Sequence, residues 1–229
     1  MSKITYLITV YNEIKTVKKS IEDILNIKYK KKEIIIIDNG STDGSQNIIK
    51  KYTKIKKIIR KKNMGYGRTI EEGIKKSTGE YIYIQNSDLE YDEKKSISMM
   101  NFAIRKKLDV VLGSRLKKKK KNIIKLLLEK PSYLATIICT YLINKFYNHK
   151  FTDIIGAKLY KIESIKKIPI DSYHMGFDFE FISRICKNNY KIGELYIKYK
   201  PREISKDKKI KFYHMFVAFY EIFKVKFFE

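Results

Sequence analysis

A chain of 229 residues with two cysteines and a formal charge of +25 is long enough for one domain with a full core. It excludes a disulfide-built scaffold, so a reducing compartment is expected. No stretch reaches the roughly 18 apolar residues of a membrane-spanning helix; no Cys/His spacing suggests zinc, and Met1-Ser2-Lys3 runs straight into a strand pattern without a leader-like segment. The charge favours anionic membrane surfaces and anionic ligands. No nucleic-acid recognition motif accompanies it, so no nucleic-acid partner is expected.

In chain order, residues 3–10 read as a strand built on Ile4 to Ile8. Apolar spacing at Ile14, Val17, Ile21, Ile24 and Leu25 predicts a helix over 13–27. Glu33 to Asp38 is a continuous apolar run, as in a parallel strand buried on both faces. A turn over 41–44 and a helix over 45–52 follow, then a strand at 56–60 and a helix over 69–76 ending near Gly79. A strand at 80–85, a helix over 93–106 and a strand at 109–112 complete the first half. Strand and helix alternate at short intervals, which predicts an α/β fold with a parallel, doubly wound sheet. The second half reads as a helix over 132–148, a strand at 155–160, a helix over 177–187, a strand within 191–199 and a last helix over 210–228. That last helix carries Phe212, Phe216, Phe219, Tyr220, Phe223 and Phe227 among lysines. Its make-up suits an interfacial helix and equally a core-packing one.

Three short stretches at the ends of predicted strands bear carboxylates: Thr9 to Glu13, Asp38 to Gly44, and Asn86 to Glu90. In open α/β sheets ligands bind in the crevice at the carboxyl ends of strands. Acids gathered there repel each other unless a cation or a donor-rich ligand sits between them. A nucleotide with a divalent metal meets that need.

These stretches come with Asn63-Met64-Gly65, Gly113-Ser114-Arg115, Gly176-Phe177-Asp178-Phe179-Glu180 and Tyr199-Lys200-Pro201-Arg202. In this order, over nearly the whole chain, they resemble the motifs of family 2 glycosyltransferases with the GT-A fold. The branch that includes dolichol-phosphate mannose synthase and the bacterial polyprenyl-phosphate glycosyltransferases is the most similar. The resemblance implies a GT-A domain over 1–208 with a mostly parallel sheet, and an amphipathic, membrane-interfacial helix over 209–229. It implies a GDP- or UDP-linked nucleotide sugar as donor, Mg²⁺ or Mn²⁺, a polyprenyl-phosphate acceptor, and inversion at the anomeric carbon. It also implies a peripheral position on the cytoplasmic face of a membrane.

Carried onto this chain, the resemblance assigns donor binding to Val10, Tyr11, Glu13, Asp38, Asn63, Gly65 and Asn86. Tyr11 can stack on a base, and Glu13 and Asp38 can accept hydrogen bonds from base or ribose. On the residues alone, Asn12-Glu13 is also a helix cap with a first-turn acid, and Asp38 to Gly44 is also a turn. Asp88 and Glu90 are the expected metal ligands, because hard cations want oxygen donors. Asn86 stands where the family usually has Asp; it is a weaker, neutral ligand and leaves Asp88 as the main one.

Arg115 and Arg202 are placed to hold phosphates bidentately. An Asn-Arg pair usual in the branch is missing, with Pro131-Ser132-Tyr133 near its place and Lys130 beside it. Asp153 and Asp178 are candidates for orienting the acceptor or acting as general base, and Glu180 is equally a helix-start acid. A lipid phosphate, with a second pKa of about 6, needs no strong base; a sugar hydroxyl does. Two other readings stand beside the first: transfer to a glycan hydroxyl in surface polysaccharide synthesis, and a degenerate GT-A domain without turnover, suggested by Asn86.

Overall fold

The structure, a computed structural model, describes residues 1–117, 133–174, 176–201 and 214–229. Arg202 and Lys130, and the starts of both the 132–148 and the 210–228 helix predictions, lie outside them. The elements are β1 (Ile4–Val10), α1 (Val17–Leu25), β2 (Lys32–Asp38), α2 (Ser45–Lys50), β3 (Lys56–Ile59), α3 (Tyr66–Lys76), β4 (Tyr81–Asn86) and α4 (Lys95–Lys106). They continue with β5 (Val110–Ser114), α5 (Tyr133–Tyr147), β6 (Ala157–Lys161), α6 (Ile162–Ile165), α7 (Phe177–Lys187), β7 (Ile192–Tyr196) and α8 (His214–Phe227).

The strands form one sheet in the order β3-β2-β1-β4-β6-β5-β7. Every pairing is parallel except those of β6, which runs antiparallel to both β4 and β5. The sheet is thus mostly parallel, as expected, with β6 its one reversed strand. An apolar run buried on both faces reads the same in either direction, so strand polarity there had no local signal.

Two core layers cover the sheet. Ile4, Tyr6 and Ile8 of β1 pack with Val17, Ile21 and Ile24 of α1 and with Met99, Met100 and Ala103 of α4. Leu7 points the other way, into a cluster with Ile70 and Ile74 of α3, Phe177 and Phe181 of α7, and Ala218 and Ile222 of α8. The alternation follows from the period-2 geometry of a strand. Helix α1 begins at Val17, later than its apolar spacing suggested. Asn12 takes the left-handed region at φ 53°, and the Thr16 and Val17 amides turn back onto the Glu13 carbonyl at 3.0 and 2.8 Å.

Candidate active site

Because β1, β2 and β4 are adjacent and parallel, their carboxyl ends share one edge. Val10 pairs with Asp38, and Thr9 with Asn86. The loops leaving β1 and β2 are joined by reciprocal bonds. The Asn39 amide donates to the Val10 carbonyl (2.8 Å) and the Asn12 amide to Ser41 Oγ (2.9 Å). The Thr42 amide donates to Asn12 Oδ1 (2.8 Å) and the Ile14 amide to Asp43 Oδ2 (2.8 Å). Burial pushes the Asp43 carboxyl up, but bonds from Ser45 and the Ile14 amide outweigh that and hold it below the usual range. Asn12 and Asp43 are therefore loop architecture, and so is Val10. Its side chain is in the core and its carbonyl accepts from the Asn39 amide, so a donor contact at Val10 would be one to its backbone.

Asp38 is fully buried at the end of β2. Its Oδ1 accepts from the Gly40 amide (3.1 Å), the Ser41 amide (3.0 Å) and Gln46 Nε2 (2.8 Å). Its Oδ2 is buried with no hydrogen-bond donor among the described residues. An unmet buried acceptor costs about 1–3 kcal/mol, so a ligand N–H or O–H reaching it would recover that. Glu13 is half-buried, its Oε2 accepting from Thr16 Oγ1 at 3.0 Å, and Tyr11 is half-buried nearby in the chain.

Asn63 and Gly65 hold the next wall. Asn63 Oδ1 accepts from Asn39 Nδ2 (2.8 Å) and from the Gly65 amide (2.8 Å). Asn39 Oδ1 in turn accepts from Arg60 Nη1 (2.8 Å) and the Met64 amide (3.0 Å). Sequence reading gave Arg60 no role; its only signal was the scarcity of arginine in a lysine-rich chain. Gly65 sits at φ 92°, ψ 157°, a region almost closed to other residues, and a Cβ there would lie 2.1 Å from the Tyr173 carbonyl oxygen. Gly65→Ala is expected to cost about 1–3 kcal/mol, read as a lower urea midpoint at unchanged slope; an unchanged midpoint would disprove this account of the glycine.

At the end of β4, Asn86 Oδ1 accepts from Thr9 Oγ1 (2.9 Å) and from the Tyr66 hydroxyl (3.1 Å). Burial first, then the charges of Asp178 and Asp88, push the Tyr66 phenol well above its ordinary range, so it stays a protonated donor. The Asn86 carbonyl thereby ties β1, β4 and α3 together. Asp88, Leu89 and Glu90 form a tight turn: the Glu90 amide donates to Asp88 Oδ1 (3.2 Å), and Leu89 has φ 60°, rare for a bulky side chain. The Glu90 carbonyl accepts from the Lys200 amide (2.9 Å), and burial, then the Glu90 carboxylate, push the Tyr199 phenol up.

On the other side of β4 the two remaining aspartates differ sharply. Asp153 is buried, and four donors fill its oxygens. Arg115 Nε (2.6 Å) and the Arg115 amide (3.0 Å) reach Oδ2; Arg115 Nη2 (2.9 Å) and the Ile155 amide (3.0 Å) reach Oδ1. Burial would raise its pKa, but the adjacent Arg115 charge and these bonds hold it below the usual carboxylate range. The guanidinium lies between the Tyr133 and Tyr199 rings, 5.2 and 5.3 Å from their centroids.

Asp178 opens α7 and faces Lys158 of β6, with Nζ 2.9 Å from Oδ1. Lys158 is only 7% exposed and Asp178 22%. The ion pair falls outside hydrogen-bond angles, and Oδ1 has no hydrogen-bond donor among the described residues. Lys158 was missed as a site residue; its signal was a lone cation inside the apolar run Ala157-Lys158-Leu159-Tyr160.

Residues 5–169 match the sequence profile described as Glycosyl transferase family 2. The chain belongs to glycosyltransferase family 2. Among its curated relatives, poly-beta-1,6-N-acetyl-D-glucosamine synthase from Staphylococcus aureus (strain COL) is 33% identical over 115 residues, 48% of this chain and 28% of that protein. The same enzyme from Staphylococcus epidermidis matches equally, so the chain aligns with little more than a quarter of these relatives' length. In fold the chain is similar to glucosyl-3-phosphoglycerate synthase from Mycobacterium tuberculosis, solved with Mn²⁺ and UDP. The TM-score is 0.76 at 12% identity, covering 98% of this chain and 80% of that one. It is also similar to a mannosyltransferase from Pyrobaculum calidifontis solved with GDP-mannose and Mn²⁺ (TM-score 0.66, 12% identity, 90% and 58% covered). The fold is GT-A.

Within this family 2 chain, Asp153 is corrected from candidate base to the residue that positions Arg115, because its four acceptor positions are taken. Glu180 is likewise structural: it is buried, accepts from the Asp171 and Ser172 amides, and pairs with Arg184 at 3.2 Å. Asp178 is the carboxylate left beside Tyr66 and Asn86.

The oxygen donors of Asp88 and Glu90 suit Mg²⁺ or Mn²⁺, which use one or two carboxylates with phosphates and water. Among the described residues, one trio of carboxylates comes within metal-ligating range: Asp171, Glu180 and Glu229. Arg184 already occupies its centre, with Nη2 2.6 Å from Asp171 and 2.5 Å from Glu229.

Proposed function

We propose that this glycosyltransferase moves one sugar, with inversion, from a GDP- or UDP-linked donor onto a polyprenyl-phosphate acceptor. The donor half rests on one observation above the others: the buried Asp38 with an unmet Oδ2 at the shared edge of β1, β2 and β4. A base or ribose donor group meets that oxygen, and Tyr11 and Glu13, both half-buried, belong to the loop that leaves β1 beside it. Mg²⁺ or Mn²⁺ held by Asp88 and Glu90 would supply Lewis-acid neutralisation of the departing diphosphate. Arg115, just past the carboxyl end of β5, already spends its Nε and Nη2 on Asp153, so the bidentate phosphate contact expected of it is corrected and any contact with a phosphate would fall to Nη1. The lysine run from Lys117 to Lys121 follows Arg115 closely in sequence, which supports a phosphorylated acceptor.

A second reading, transfer to a glycan hydroxyl, is favoured by Asp178. Lys158 holds its inner oxygen without filling it, as a general base requires. The Staphylococcus relatives, polysaccharide synthases by name, point the same way.

The deciding measurement is nucleoside diphosphate release with Mn²⁺ and a panel of UDP- and GDP-sugars, with and without a short polyprenyl phosphate. Lipid-dependent release that falls at least ~10²-fold in Asp88→Ala is the expected result. Release driven by a soluble oligosaccharide and indifferent to the lipid would replace the first reading with the second.

A further inference from the structure

A cavity of about 440 Å³ lies beside β7, lined by Lys117, His149, Lys150, Phe151, Thr152 and Glu194. Its size falls within the roughly 300–1,000 Å³ of small-molecule sites. Strand β7 is the edge of the sheet, three strand spacings from β4 and five from β2. At ~4.8 Å per spacing that is ~14–24 Å across the sheet from the donor edge. The loop over 148–152 is pinned by one side chain of α5. Asn144 Oδ1 accepts from the Phe151 amide and its Nδ2 donates to the Phe151 carbonyl, both at 2.9 Å. The Asn144 carbonyl accepts from the His149 amide (3.1 Å). Asn148 takes the left-handed region at φ 55°, which asparagine tolerates. The His149 ring is thereby stacked on Phe151, with centroids 4.5 Å apart and planes inclined by 20°.

The lining selects an anion. Its one carboxylate, Glu194, is spent within the fold. Oε1 accepts from the Thr152 amide (2.7 Å) and the Asp153 amide (3.1 Å), and Oε2 from Thr152 Oγ1 (2.8 Å). Against it stand two ammonium groups and an imidazole. Lys117 donates to the Glu194 carbonyl, which leaves two of its three N–H groups. Lys150 is exposed and His149 half-buried. Burial pushes the His149 imidazole below its ordinary value, so it is neutral until an anion arrives. A phosphate monoester carries about −1.5 to −2 charge on three strong acceptor oxygens. That matches three separate donor groups better than a carboxylate does. We propose that this cavity binds a phosphorylated small molecule, its phosphate held by Lys117, His149 and Lys150 and its organic part against Phe151. The strand count separates it from the donor diphosphate. The Thr152-Asp153 segment separates it from Arg115: Thr152 lines the cavity, while the Asp153 carboxylate holds the guanidinium. The inference does not rest on the transfer reaction proposed above, and its test uses neither donor nor acceptor.

Inorganic phosphate is titrated into the whole protein and followed by proton NMR of the imidazole rings. Only His149, His174 and His214 contribute, and His149→Gln assigns the first by its loss. The His149 resonance alone is expected to shift, its titration midpoint rising because a bound anion favours the imidazolium. Lys150→Gln, at an exposed position, is expected to weaken phosphate at least ~10-fold with the melting temperature kept. Glucose 6-phosphate and uridine monophosphate are then compared with inorganic phosphate. Tighter binding of either is expected and identifies the organic part; equal affinity of all three overturns the assignment of an organic ligand. A Cβ on Gly65 of the donor wall would lie 3.1 Å from His174 Nδ1, so His174 reports on the cleft. A response there with His149 unmoved would place the anion in the cleft and overturn the proposal. Equal shifts of all three histidines, unchanged by Lys150→Gln, would overturn it too, as the general attraction of a +25 chain for anions.

Discussion

Asp153→Ala is expected to lower the unfolding free energy by about 3–5 kcal/mol, the usual consequence of removing one partner from a buried ion pair. The alanine would strand the Arg115 guanidinium between Tyr133 and Tyr199 with Nε and Nη2 unmet. It would also release the Arg115 and Ile155 amides that Asp153 now receives. Replacing both members, as Arg115→Met with Asp153→Leu, is expected to cost less than the single change, because no uncompensated charge remains. Urea midpoints of the three proteins decide this, and a double variant weaker than Asp153→Ala would sink the account.

The same pair has a pH signature. The folded pKa of Asp153 is depressed, so its stabilisation is complete above the unfolded carboxylate value of about 3.9 and is lost as pH falls through the folded value. The stability curves of the native protein and of Asp153→Asn should therefore run apart near neutrality and converge in acid. Parallel curves down to the acid limit would show that the pair contributes nothing through ionisation.

Asp178→Asn is expected to divide the two acceptor chemistries. A sugar hydroxyl must lose its proton as it attacks, and removing the base lowers turnover about 10²–10⁴-fold. A phosphate monoester is already largely ionised near neutrality, with a second pKa of about 6. On polyprenyl phosphate the variant should therefore keep most of its turnover, which is the outcome the proposed function requires. Asparagine removes the charge that balances the buried Lys158, so Lys158→Met in the same chain is the necessary companion; it restores neutrality without restoring a base. A large loss on polyprenyl phosphate in both proteins, with melting temperatures preserved, would show that Asp178 acts in the transfer and would sink the account in which a phosphate acceptor needs no base.

The sequence by itself determined whatever depends on near neighbours. Apolar runs placed β1, β2 and β4, and helical spacing placed α3, α4 and α7, with ends off by a few residues. The turn formers from Asp38 to Gly44 and from Asn63 to Gly65 marked the loops at the strand ends, and the order of motifs identified the family. Tertiary structure alone decided which oxygens are filled. Asp153 and Asp178 are both aspartates in motif positions, yet one is closed by four donors from Arg115 and Ile155, and the other keeps an unfilled oxygen beside Lys158. Asn86, Asn63 and Val10 use their carbonyls to join loops that are 24 to 77 residues apart in some cases. The reversed direction of β6, which brings Lys158 to Asp178, leaves no mark on its own apolar pattern. Spacing and periodicity are properties of a segment; bond partners, strand polarity and solvent exposure are set by pairings between distant segments, and these exist only once the chain is folded.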